Sequence, residues 1–219
     1  MGLYEQFVLP WVLHCACASP AITAQRKKIV PLASGTVLEV GMGTGLNLKY
    51  YTAETTDLVH GLEPSAPMRR RAQNVATQMA FEVNIIDGVA EQIPLPDGSV
   101  DTVMLTFTLC TLPDPHTALH EMARVLADTG TLLFCEHGLA PDATVASVQM
   151  RLNPIWKRFA GGCNLQRNIP HLLEEAGFEI TERYEGYLPR TPRFAGYNYW
   201  GQARKLRRKG ASENIRTTS

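Results

Sequence analysis

Thr36-Val37-Leu38-Glu39-Val40-Gly41-Met42-Gly43-Thr44-Gly45 is the stretch on which the fold turns. An apolar, β-branched run leads through Glu39 and Val40 into three glycines that alternate with Met42 and Thr44. This pattern predicts a buried parallel strand, a tight turn, and a helix from about residue 45 to residue 51. Glycine reaches positive φ and has no Cβ, so the turn can be sharp and a ligand can approach the backbone. A helix after the turn would aim its free N–H groups at that ligand. The spacing is Gly-x-Gly-x-Gly, not the Gly-x-Gly-x-x-Gly of dinucleotide-binding turns.

Downstream, Asp57-Leu58-Val59-His60-Gly61-Leu62-Glu63 reads as a second strand ending in an acid. Glu63 stands at the separation from the glycines at which a carboxylate meets a ribose bound over the first turn. Glu39-x-Gly41-x-Gly43-x-Gly45 followed by Glu63 resembles the class I S-adenosylmethionine-dependent methyltransferases. The resemblance implies an α/β fold: a seven-stranded, mostly parallel Rossmann-like sheet with helices on both faces and a C-terminal antiparallel hairpin. It implies S-adenosylmethionine as cofactor, held by Glu39, Gly41, Gly43, Gly45, Asn47, Glu63, Pro64, Asp87, Ala90, Glu91, Thr106 and Leu109. Many members of the family carry an aspartate directly before Ala-Glu to accept from the adenine amino group. This chain has Val89 there, which leaves Asp87 or the backbone of Ala90 to read the adenine edge.

Bulk properties fit that expectation. The 219 residues suffice for one domain with a sizeable core, and 45% apolar with 19% charged residues is ordinary for a globular protein. Lysine plus arginine equals aspartate plus glutamate at 21 each, so no global field points to nucleic acid. The five cysteines, 15, 17, 110, 135 and 163, are odd in number and never spaced Cys-x-x-Cys. That argues against a disulfide framework and a zinc site, and the expectation is no metal and a reducing, cytoplasmic setting. No apolar run reaches the roughly eighteen residues that span a bilayer. The segment from Phe7 to Ala18 imitates a secretory leader but lacks its leading positive charge, and reads better as a proline-kinked amphipathic helix.

Three units are expected: a helical lid over 1–35, a methyltransferase domain over 36–203, and a basic, disordered tail over 204–219. Leu3, Phe7, Trp11 and Cys15 recur on one face of the first helix, and a second helix follows Pro20. Met68, Ala72, Val75 and Met79 form the buried stripe of a helix whose triple arginine, 69–71, lies off it in solvent. Further strands are expected over 81–87, 100–107 and 131–135, with a helix begun by Asp114-Pro115 and stopped by Asp128-Thr129-Gly130. A helix over 143–159, another ending at Ala176-Gly177, and strands over 178–187 and 193–203 complete the chain.

Thr106, Leu109 and Cys110 leave the fourth strand beside the topological switch point, where ligands bind in open α/β sheets. His137 closes the fifth strand and converges on the same cleft. Leu109-Cys110-Thr111, Glu136-His137-Gly138, Pro154-x-Trp156, Gly162-Cys163-Asn164-Leu165-x-Arg167 and Gly196-Tyr197 are similar to a branch that includes the microsomal alkyl-thiol methyltransferases and, more distantly, quinone-biosynthesis methyltransferases. The expectation is methyl transfer to a small molecule, with a thiol among the acceptors and His137, or His14 from the lid, as base or orienting group. A carbon or oxygen acceptor such as a quinone precursor or a phenol stays open, as does a cofactor-binding module without turnover. Several thiols converging on one ion would suit an arsenic acceptor, which the cysteine spacing does not establish. Peripheral membrane contact is compatible with the basic tail, and the sequence leaves the oligomeric state open.

Overall fold

The computed structural model describes residue 15 and residues 17–206. The elements are α1 (Pro20–Ile29), β1 (Gly35–Val40), β2 (Thr56–Leu62), α2 (Ala66–Ala76), β3 (Glu82–Ile86), β4 (Val100–Thr106), α3 (Pro115–Val125), β5 (Leu126–His137), α4 (Ala143–Phe159), α5 (Ile169–Glu175), β6 (Phe178–Tyr187), α6 (Arg193–Gly196) and β7 (Tyr197–Lys205). They build one seven-stranded sheet in the order β3-β2-β1-β4-β5-β7-β6. β1 to β5 pair in parallel, and β7 runs antiparallel to both β5 and β6. The strand order reverses between β1 and β4, so their carboxyl ends flank a crevice.

The central strands are buried on both faces, and alternation divides their side chains between two cores. Leu38, Val103, Leu105, Leu132 and Phe134 pack with Leu119 and Met122 of α3 and Ile169 and Leu173 of α5. Val37, Met104, Leu133 and Cys135 point the other way, to Ile29 of α1 and Ala72 of α2. Asp114 caps α3 by accepting from the backbone N–H groups of His116 and Thr117. Arg124 of α3 donates to the carbonyls of Ile93 and Leu95 and pairs with Asp97, pinning the proline-rich loop before β4.

Five local expectations are corrected. No helix follows the glycine turn; a single 3-10 turn at Leu48–Tyr50 stands in its place. Seven residues opened by a positive-φ glycine are too few to nucleate a helix, and Asn47 and Tyr51 are instead drawn to Glu39. α3 ends at Val125, and Asp128-Thr129-Gly130 lies within β5, held by Lys205, which donates to the Leu126 carbonyl and pairs with Asp128. Arg193–Gly196 is a short helical turn rather than strand, with Arg193 paired to Asp142 and stacked over Tyr187. β7 continues to Lys205, past the boundary at 203, because Arg204 pairs with Glu179 and Lys205 with Asp128. Finally, Arg69 is not merely solvated: it donates to the Glu63 carbonyl and grips Asp87. The lid positions Leu3, Phe7, Trp11 and His14, and the tail from 207 onward, lie outside the described residues.

Candidate active site

The glycine turn has the backbone that its composition demands. Gly41, Gly43 and Gly45 all hold φ between 62° and 79°, a region costly for other residues. A Cβ at Gly41 would come within 2.5 Å of Thr108, whereas one at Gly43 would meet nothing within 4 Å. Gly41 is therefore tight against the neighbouring loop, and Gly43 faces open space where a ligand can lie on the backbone.

Glu63 stands over that space. Its Oε2 accepts from the Gly43 N–H at 2.9 Å and its Oε1 from the Ser65 N–H at 2.8 Å, and burial raises its pKa. Each oxygen retains lone-pair capacity for a hydroxyl donor.

Below the turn lies a buried polar network. Glu39 accepts from Asn47 Nδ2 at 3.0 Å and from the Tyr51 hydroxyl at 2.8 Å. Asn47 Nδ2 also reaches Thr106 Oγ1 at 2.9 Å, and Arg26 NH1 donates to Asn47 Oδ1 at 2.8 Å and Thr106 Oγ1 at 3.0 Å. Burial lifts Glu39 to about 7, against the hydrogen bonds from Tyr51 and Asn47 and the Arg26 charge, which favour ionisation. Tyr51 is pushed upward by burial and by Glu39. Arg26 is 5% exposed and its side chain also interacts with Cys17, yet its Nε has no hydrogen-bond partner among the described residues, nor does the buried Oε1 of neighbouring Gln25. A buried guanidinium with a free donor is built to receive an acceptor group.

At the end of β4 the chain turns sharply, with Phe107 at φ 57°. The loop it enters is organised by Glu136, which is wholly buried and accepts from the N–H groups of Thr108 at 2.8 Å and Cys110 at 3.3 Å. Burial holds Glu136 near 7. Arg167 donates to the carbonyls of Leu109 and Leu112 from the far side. His137, adjacent to Glu136, is 5% exposed, with Nδ1 3.7 Å from Cys163 Sγ and Nε2 buried without a partner among the described residues. Cys110 Sγ, Cys163 Sγ and a ring nitrogen of His137 all lie within 4.8 Å of one another. The Cys110 thiol bonded to Cys163 and the adjacent imidazole draw the Cys163 pKa down, and the same bond together with burial pushes Cys110 up.

Of the residues expected at the site, Glu39, Asn47 and Thr106 share one hydrogen-bond network, Glu63 is bonded to the Gly43 backbone in the glycine turn above it, and Leu109 is buried in the core. Ala90 is buried in the core beside it. Pro64 is exposed, Asp87 is exposed and held bidentately by Arg69, and Glu91 accepts from the Asp114 N–H and so supports the start of α3. Sequence reasoning missed Arg26, Tyr51 and Glu136 as members of these networks. Only Glu136 left a trace, inside the Glu136-His137-Gly138 motif.

Comparison with known proteins agrees with this architecture. Residues 38–134 match the family model described as a methyltransferase domain. The chain is 33% identical over 152 residues to human thiol S-methyltransferase TMT1B, covering 67% of this chain and 62% of that protein. It is 32% identical over 120 residues to a phosphatidylethanolamine N-methyltransferase of Cereibacter sphaeroides, covering 54% of this chain and 58% of that one. The chain thus spans about three-fifths of the length of these curated relatives. Among solved structures, an S-adenosylmethionine-dependent methyltransferase of Aquifex aeolicus aligns with a TM-score of 0.62 at 20% identity, covering 90% and 98% of the two chains. The [4+2]-cyclase SpnF aligns with a TM-score of 0.67 at 20% identity, covering 84% and 80%. Residues 38–134 form a methyltransferase domain, and the sheet that contains them is that of the class I S-adenosylmethionine-dependent methyltransferases, whose cofactor is S-adenosylmethionine. SpnF shows how far chemistry can vary on one scaffold.

Proposed function

We propose that this protein methylates a small thiol at the mouth of the crevice between β1, β4 and β5. The observation that carries the reading is the spacing on β4's exit: Thr106, which closes the polar network under the glycine turn, and Cys110, beside His137 and Cys163, are four residues apart. Donor and acceptor ends therefore meet on one short loop. Similarity to thiol S-methyltransferases over two-thirds of the chain supports sulfur as the acceptor atom.

The residues present fit the cofactor. Glu63 would hold the ribose hydroxyls, the open backbone at Gly43 the adenosine, and the unpartnered Arg26 Nε the carboxylate end. When bound, the cofactor supplies a methyl carbon on a positively charged sulfur with a good leaving group. The protein then needs to align an acceptor and to keep it ionised. A free thiol of pKa about 8.5 is only a few per cent thiolate at neutral pH. In this reading His137, whose buried Nε2 has no partner among the described residues, takes the acceptor's proton, while Glu136 and Arg167 fix the neighbouring loop. Holding the reactants at contact distance contributes effective molarities of about 10⁵–10⁸ M.

The test is turnover with labelled cofactor against alkane thiols, phenols, quinols and amines. Thiols should lead the panel. Methylation of phenols, quinols or amines with inert thiols would replace this reading with another acceptor.

A further inference from the structure

We propose that Cys110, Cys163 and His137 form a binding site for a soft divalent cation of the zinc class, with its fourth position left open. The three ligand atoms come from three separate parts of the chain: the loop after β4, the loop after α4, and the end of β5. They already lie within 4.8 Å of one another, and His137 Nδ1 stands 3.7 Å from Cys163 Sγ. A tetrahedral zinc ion with bonds of about 2.3 Å to sulfur and 2.0–2.1 Å to nitrogen separates its ligands by about 3.5–3.8 Å. The sulfur–nitrogen edge is thus at its final length, and the remaining edges need no more than about 1 Å of side-chain rotation.

The surroundings suit an ion better than they suit three neutral side chains. His137 is nineteen-twentieths buried and turns its Nδ1 toward the Cys163 sulfur, so its ring is already oriented as a ligand to an ion shared with that thiol. The loop backbone that carries Cys110 is locked by Glu136 and Arg167, so this ligand is pre-positioned. Cys163 is the member that reaches solvent. Cys17, although near enough for its charge to interact with Cys163, is not among the atoms that converge. Three protein ligands with a vacant fourth position are the arrangement of catalytic rather than structural zinc.

In that role the site deepens the proposed thiol methylation and rests on it. An acceptor thiol entering the fourth position loses its proton to solvent as its sulfur binds the ion, so with the ion bound His137 acts as a ligand and the ion, in place of the imidazole, keeps the acceptor ionised. The sulfur's electron pair then forms the new bond to the methyl carbon, while the old sulfur–carbon pair stays with the cofactor's sulfur and neutralises its charge. Ion binding itself requires no oxidant and releases the two cysteine protons.

The full-length chain, reduced with a phosphine and freed of metal, should take up zinc stoichiometrically by elemental analysis. With cobalt(II) in its place it should show the intense visible bands of a tetrahedral site and sulfur-to-metal charge transfer in the near ultraviolet. Cys163→Ser should weaken binding by more than about a hundredfold and lose part of the charge transfer, with Cys15→Ser as the unaffected control. His137→Ala, on a protein verified as folded by circular dichroism, should move the visible bands and keep the thiolate transition. Adding an alkane thiol should then alter the cobalt spectrum. A wild-type protein that is reduced, folded and able to bind the demethylated cofactor, yet takes up neither ion at micromolar free concentration, overturns the site. So does a Cys163→Ser protein with an unchanged cobalt spectrum. If thiols are methylated by metal-free protein, the metal site fails while thiol methylation stands; if the ion binds and thiols are inert, the reverse holds.

Discussion

The two halves of the crevice are built by different rules. On the donor side, Glu39, Gly41, Gly43, Asn47, Tyr51 and Glu63 fall within 25 consecutive residues, and only Arg26 and Thr106 arrive from elsewhere. On the side proposed for the acceptor, Cys110, Glu136, His137, Cys163 and Arg167 are spread over nearly 60 residues, on two connections and the end of β5. Each half keeps a buried nitrogen without a partner among the described residues, Arg26 Nε and His137 Nε2, but one is lined by oxygen and nitrogen and the other by sulfur and imidazole. One half is suited to recognising a fixed molecule, the other to chemistry on a variable one.

The contrast can be broken most sharply at His137. Replacing it with alanine should lower turnover with a thiol by roughly 10²–10⁴ and leave affinity for the demethylated cofactor unchanged in calorimetry. Equal losses in both would erase the division between the halves. Glu63→Gln should do the opposite, weakening the demethylated cofactor by about 10–150-fold, the worth of a charge-assisted bond of about 1.5–3 kcal/mol.

Glu39 sharpens the comparison through pH. Its carboxyl sits near 7 in the folded protein against 4.5 in the open chain, so the folded state holds the proton more tightly. Its contribution to stability is complete below about pH 4.5 and is lost as the pH rises through about 7. Thermal melts of the unliganded wild type should therefore decline relative to Glu39→Gln across that interval, by an amount of order a few kcal/mol. Parallel curves for the two proteins would show that Glu39 stays ionised. The smallest effect belongs to Asp87→Asn. Because Asp87 is exposed and occupied by Arg69, cofactor affinity should change by less than about threefold and stability by about 1 kcal/mol or less.

What the sequence made legible follows the same division. The glycine turn, Glu63, the seven strands and the antiparallel β7 show through local pattern: alternation, turn residues, and a carboxylate at a fixed distance. The failures lie where tertiary partners overrule local signals. Asp128-Thr129-Gly130 reads as a helix stop, but Lys205, 79 residues downstream of Leu126, holds it in a strand. The run after Gly45 reads as helix until Glu39 claims Asn47 and Tyr51. The sulfur cluster has no local spacing at all, because its members come from two separate loops and the end of β5, and a search for paired cysteines passes over it.

Arg26 reaches Thr106 across 80 positions and lies on α1, in the stretch that precedes the first strand. During synthesis the floor beneath the glycine turn stays unfinished until the fourth strand has emerged and the nascent leading helix has swung back onto it. A shortened chain beginning at residue 35 would keep every strand yet leave a guanidinium-sized hole under its own binding turn.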